Sequence, residues 1–215
     1  MDIPAEVASR LLQIKAIKLS PQNPFTWASG LRSPIYCDNR LILSHPEVRR
    51  FVVSCFVELS GSFRPFDAIA GVATAGIAHG VLLAQQLDLP FAYVRDKAKG
   101  HGRQNQIEGE LTPGARVLVV EDLISTGGSS LAAVEALRSA GYQVIGALAV
   151  FTYEFEKAAA AFTNAECPVN TLSGYSVLIE QARNQGYIEA NDMATLGDWR
   201  RNPEGWSNKW QQTQP

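Results

Sequence analysis

Cysteine is scarce in this 215-residue chain: Cys37, Cys55 and Cys167 are the only three, an odd number with no CxxC spacing. That excludes a disulfide framework and a cysteine-based zinc site, and fits a chain kept in a reducing cytosol. No charge of one sign dominates. Its 19 Lys and Arg stand against 21 Asp and Glu, a formal net charge of −2. No global basic field would therefore draw it to nucleic acid or to an anionic membrane, and any anion site must be local. Long apolar runs are missing too. The longest, Val144 to Phe151, falls far below the roughly 18 residues of a spanning helix, and the N-terminal MDIPAEVASR lacks an apolar signal core. The expectation is a chain that neither spans a membrane nor is secreted. Repeats and low-complexity stretches are absent, which argues for one folding unit. So are GxxxxGKS, GxxxxGKT and a suitably placed GxGxxG, which disfavours P-loop hydrolysis and dinucleotide binding.

What is present is apolar material: 46% hydrophobic against 19% charged residues is enough to bury a sizeable core. Residues 5–17 space Val7, Leu11, Leu12, Ile14 and Ile17 as one helix, closed by the breakers of SPQNPF. A second helical pattern follows Pro46 and ends in Gly and Ser. From there strand and helix alternate: strands at Asp67–Val72, Phe91–Val94, Val117–Val120 and Val144–Phe151, helices at Ile77–Leu87 and Ser130–Ala140. Short, nearly continuous apolar strands between amphipathic helices predict an α/β fold with a mostly parallel sheet flanked by helices. Ligands in such folds bind beyond the carboxyl ends of the strands. Phe25 to Arg40, FTWASGLRSPIYCDNR, shows neither periodicity and reads as an ordered loop over a site.

The stretch Val117 to Ser130, VLVVEDLISTGGSS, runs from an apolar strand into two carboxylates, Glu121 and Asp122, and then into a small-residue loop opening a helix at about Ser129. Gly127 and Gly128 allow successive N–H groups to turn toward one anion. Thr126 and Ser129 add hydroxyl donors, and the helix N-terminus adds the positive end of its dipole. The plainer alternative is a helix-start turn capped by Ser129. Two carboxylates beside a phosphate would repel it unless they face a diol or a metal, so a sugar phosphate with a metal satisfies both halves.

This combination resembles the phosphoribosyl pyrophosphate (PRPP) motif of type I phosphoribosyltransferases. The resemblance implies that fold, with an N-terminal hood over the C-terminal strand ends. It also implies that Glu121 and Asp122 hold the ribose hydroxyls and that Leu123, Ile124, Ser125, Thr126, Gly127, Gly128 and Ser129 bind PRPP, with the 5′-phosphate in the loop. The SGxxSP core of FTWASGLRSPIYCDNR is similar to the hood of orotate phosphoribosyltransferases. DAIAGVATAGIAHG resembles their pyrophosphate loop, placing Ala73 and Thr74 on the diphosphate and a non-proline cis peptide between them. YVRDKAKGHGRQNQIEGE carries RxxAKxHG, which is similar to their catalytic loop. By that likeness Arg95, Lys99 and His101 close over the diphosphate from the neighbouring subunit, with Lys97, beside Asp96, as a contributor.

The reaction so implied is transfer of ribose 5-phosphate from PRPP to orotate in pyrimidine biosynthesis, in a cytoplasmic homodimer with shared active sites. Mg²⁺ is the implied cofactor, held mainly through PRPP and water with no direct protein ligand. Catalytic roles fall to Lys99, Arg95, His101, Asp122 and Glu121, and no side-chain nucleophile is required. For orotate, Ser125 is the candidate donor and Arg32, Tyr36 and Arg40 are candidates for the carboxylate. Where relatives place a lysine before the hood SG this chain has Ala28, and FTYEFEKAAAAF lacks their arginine. A purine or uracil enzyme and a non-catalytic PRPP-binding regulator are the alternatives, separated by which base is consumed. The expected layout is a single domain over 1–215: hood at about 1–45, core at about 46–170 and a C-terminal helical segment, 171–215. In that last segment NDMATLGDWRRNPEGW carries no readable motif, and Trp199, Trp206 and Trp210 are expected to serve packing.

Overall fold

The computed structural model describes residues 2–96 and 106–213. Helix α1 (Ile3–Gln13) is started by Asp2, whose side chain accepts from the Ala5 N–H, and by Pro4 in its first turn. It ends short of the expected Ile17. Lys15 turns left-handed at φ 58°, and Ile17 pairs with Cys37 instead. Strand β1 (Ile17–Leu19) lies antiparallel to β4 (Ile35–Cys37), and β2 (Phe25–Thr26) to β3 (Arg32–Ser33). The stretch expected as an irregular loop therefore holds three short strands. Runs of two or three residues are too short for alternation to show in sequence. A 3₁₀ turn over Asn39–Ser44 leads into α2 (Pro46–Ser60), again with proline in the first turn.

The sheet is built next, from β5 (Ala68–Val72), α3 (Ala75–Leu87), β6 (Phe91–Val94), β7 (Ile107–Glu108), β8 (Arg116–Ile124), α4 (Gly128–Ser139), β9 (Gln143–Thr152), α5 (Glu156–Asn164) and β10 (Val169–Gly174). Its order is β10-β9-β8-β5-β6-β7, parallel throughout except for β7 against β6. The mostly parallel α/β sheet read from the sequence is the sheet that forms. Alternate side chains divide its two faces. Ile69, Leu118, Val120, Leu148 and Val150 pack with Leu11 of α1 and Phe56 of α2. Ala68, Ala70, Val117, Val119, Ala147 and Ala149 pack with Leu137 of α4 and Phe162 of α5. Neither face meets water, which is why these strands read as unbroken apolar runs.

Three helices close the chain: α6 (Tyr175–Asn184), α7 (Asp192–Arg201) and α8 (Pro203–Thr213). Trp199 is fully buried among Trp27, Tyr153, Phe155 and Tyr175, with ring centroids 5.4–5.7 Å apart. Trp206 stacks on Trp210 at 5.4 Å. The Arg32 N–H donates to Ser207 Oγ at 2.9 Å and Gln22 Nε2 to Asp192 Oδ1 at 3.0 Å, so these helices lock onto the N-terminal strands. Among the described residues no helix is long and apolar enough to cross a membrane, and all three cysteines are free thiols.

Candidate active site

The carboxyl end of β8 carries two adjacent acids. Glu121 continues the Val117 and Val119 side toward α4, and only 6% of it is exposed. Its Oε1 accepts the Asp122 N–H at 2.9 Å and its Oε2 accepts Ser130 Oγ at 3.2 Å. Burial, and after it the Asp122 charge, pushes the Glu121 carboxyl up to about 9, so it keeps its proton at neutral pH. Asp122 is half-exposed, and its carbonyl accepts Asn39 Nδ2 at 2.7 Å. One bond thus ties the N-terminal segment to the acidic pair. Burial, then Asp122, pushes the neighbouring Cys37 thiol well up, which keeps it un-ionised and unsuited to nucleophilic work.

Past Ile124 the chain turns through Ser125 and Thr126 to Gly127, whose φ is +83°. A Cβ there would lie 2.9 Å from Phe162 Cε2, so both the backbone and the space demand glycine. Helix α4 opens at Gly128 with Gly127 as its N-cap and no side-chain cap, in place of the expected start at Ser129. Ser129 does not cap it, and the Ser130 hydroxyl is engaged by Glu121. An uncapped N-terminus offers its N–H groups and dipole to an anion. Asp122 is also a hard oxygen donor of the kind Mg²⁺ accepts alongside ligand oxygens and water. Among the described residues no cluster of three His, Cys, Asp or Glu could hold a metal alone.

The second loop faces this turn. Ala73–Thr74 is the cis peptide expected there, and the Ala73 N–H donates to Val94 O at 2.8 Å. Gly76 seats the start of α3 against β8, where a Cβ would fall 2.5 Å from the Val120 carbonyl oxygen. Arg95, just past β6, ion-pairs with Glu108 of β7 at 3.2 Å and shares a cavity of about 220 Å³ with Val72 and Ser129. Arg95 and the PRPP-type loop are thus brought together. Lys97, Lys99 and His101 lie outside the described residues.

The candidates for orotate do not converge. Ser125 and Thr126 line a cavity of about 410 Å³ whose other walls include Trp27, Leu31, Phe155 and Arg200. Arg32, Tyr36 and Arg40 are not among its walls. Arg40 grips Asp38 through two hydrogen bonds of 2.7 and 2.9 Å, and Tyr36 sits 5.8 Å from the Phe25 ring. Sequence reading missed Asn39, Ser130 and Glu108, each of which holds a site residue in place, and Arg200, which pairs with Glu154 at 3.1 Å. Asn39 lies inside the hood string and was within reach. Arg200 was not, because only the folding back of α7 brings it to Ser125.

Residues 42–173 match the phosphoribosyl transferase domain family. The chain is 53% identical over 207 residues to the orotate phosphoribosyltransferase of Listeria innocua, covering 96% of this chain and 99% of that one. It is 56% identical over 200 residues to the orotate phosphoribosyltransferase of Bacteroides thetaiotaomicron, covering 93% and 94%. The crystal structure of orotate phosphoribosyltransferase from Aeropyrum pernix superposes with a TM-score of 0.75 at 30% identity, over 85% of this chain and 99% of that one. By these matches, and with the mostly parallel sheet they share, this chain belongs to the phosphoribosyltransferase family, in its orotate phosphoribosyltransferase branch.

Proposed function

We propose that this site transfers ribose 5-phosphate from PRPP to orotate, giving orotidine 5′-monophosphate and pyrophosphate in pyrimidine nucleotide synthesis. The observation that carries the reading is the end of β8, where a half-exposed Asp122 stands beside the uncapped N-terminus of α4 across the Gly127 turn. A sugar phosphate needs both. The span from Leu123 to Ser129 would take the 5′-phosphate, and Ala73 and Thr74 the diphosphate. Departure of pyrophosphate builds positive charge on the ribose ring and negative charge on the leaving group. Asp122 faces the ribose hydroxyls and favours the ring charge. Glu121 is buried beside it, and its carboxyl, which accepts the Asp122 N–H, supports a role in holding the Asp122 backbone. Mg²⁺ bound with the diphosphate supplies positive charge where the leaving group forms. Arg95, Lys99 and His101, with Lys97, add charge there and exclude water that would capture the activated ribose. Orotate N1 attacks directly, with Ser125 donating to the base.

The layout we propose is one domain over 1–215 with hood, core and C-terminal segment as read from the sequence. It is supported by the core cluster on one face of the sheet, which joins residues of all three parts, from Val7 through Leu118 to Trp199. The working unit is a cytoplasmic homodimer with the catalytic loop acting across the interface. Purified protein should consume orotate, followed by its absorbance, only when PRPP and Mg²⁺ are present. Adenine, hypoxanthine and uracil run in parallel: turnover of one of them would keep the PRPP site and overturn the acceptor, and PRPP binding without any turnover would point to a regulator. Mixing Lys99→Ala with Asp122→Ala subunits should restore part of the activity, and no restoration would overturn sharing.

A further inference from the structure

We infer that Arg200, carried on α7 in the C-terminal segment, is the residue that grips the orotate carboxylate and sets specificity for it, with Glu154 as its positioning residue. The inference rests on the orotate reading above and gives its base pocket a cation. The cavity of about 410 Å³ begins at Ser125 and Thr126, the two loop residues nearest the phosphate turn, and is roofed by Trp27. Its size and mixed apolar and polar lining suit one planar base. Orotate differs from uracil by a carboxylate, and a planar guanidinium is the side chain that meets a carboxylate two bonds at a time. Three cations line this cavity. Arg201 is engaged with Asp198 and its side chain is 74% exposed, and Lys157 is exposed on the surface of α5. Arg200 is the half-buried one.

Its orientation is built in from several sides. Glu154 follows β9 at φ 57°, a left-handed backbone that non-glycine residues rarely adopt, and its N–H donates to Thr152 Oγ1 at 3.0 Å. Its carboxylate accepts from Ser176 N and Ser176 Oγ at the start of α6 and from Arg200 Nη1 at 3.1 Å. Among the described residues only Nη1 of Arg200 is hydrogen-bonded, which leaves the rest of the fork for a ligand. Trp199, the neighbouring residue, is fully buried against Trp27, Tyr153 and Phe155, so the helix that presents Arg200 is fixed to the pocket wall.

The test compares ligands with and without the carboxylate. In Arg200→Ala the KM for orotate should rise about 30-fold or more, the factor for removing one partner of a partly buried charge pair, while the KM for PRPP changes less than about twofold. By calorimetry, orotidine 5′-monophosphate should lose affinity by a similar factor and uridine 5′-monophosphate should lose none. Arg200→Lys, which keeps the charge without the fork, should recover only part of the loss and guards against a folding defect in the alanine variant. An unchanged orotate KM, equal losses for both nucleotides, or a carboxylate-specific loss in Arg40→Ala instead would overturn the assignment to Arg200 while leaving the activity standing. A wild-type protein that neither consumes orotate nor binds orotidine 5′-monophosphate would overturn both.

Discussion

The two ends of the cleft are assembled differently. At the proposed phosphate end, Glu121, Asp122, Gly127 and Ser130 come from one uninterrupted strand, turn and helix, so chemistry and geometry lie in adjacent letters. At the proposed base end, Trp27, Ser125, Phe155 and Arg200 come from four segments spread over most of the chain. A local site is recoverable from a motif because the backbone itself sets its distances. A composite site depends on how separate elements dock, and its residues carry no mutual spacing in sequence.

The sharpest way to break the comparison is within the acidic pair. Asp122→Asn should lower kcat/KM at least about 100-fold, because it removes the charge facing the ribose. Glu121→Gln should cost less than about tenfold near pH 7, since a protonated carboxyl and an amide are similar donors and acceptors. Steady-state kinetics on both variants decides it, and equal losses would refute the division of roles. Next comes the turn. Gly127→Ala should destabilise the protein by about 1–3 kcal/mol by chemical denaturation, from the left-handed backbone alone, with the Phe162 contact adding to it. Gly128→Ala should stay within about 0.5 kcal/mol, since its Cβ would meet only Thr126 Oγ1 at 4.0 Å.

A smaller effect follows from the Glu121 proton. Its native pKa is raised, so its contribution to stability is fully present below the unfolded value of about 4.3 and is lost as pH rises through about 9. Glu121→Gln removes that dependence. Thermal melts should therefore show the variant gaining on the wild type between about pH 5 and pH 9, and parallel curves would contradict a protonated Glu121. The smallest change is expected at the base end, where Glu154→Gln loosens Arg200 without removing it. Kinetics should show a rise of about two- to fivefold in the KM for orotate and none in that for PRPP.

Much of this was legible in the residues themselves. The sheet strands follow from apolar runs at Ala68–Val72, Val117–Val120 and Val144–Phe151, because a strand covered on both faces has no polar side to display. The Ala73–Thr74 peptide and the glycine turn followed from likeness to a motif whose geometry is local. The small strands at Phe25–Thr26 and Arg32–Ser33 were not legible, being too short to carry a period. Nor was the end of α1, where a single left-handed residue overrides a helical pattern that continues past it.

Sequence alone determined the parallel core, the acidic pair, the phosphate turn and the family, since each rests on neighbours along the chain and on spacings the backbone enforces. Tertiary structure alone decided that Glu121 is buried, with its carboxyl pushed up, while Asp122 stays half-exposed, because burial depends on what α4 and the hood bring against each residue. It also decided that Arg200 meets Ser125 and Trp27 in one cavity, because residues so far apart in the chain come together only when the buried Trp199 fixes α7 against the hood.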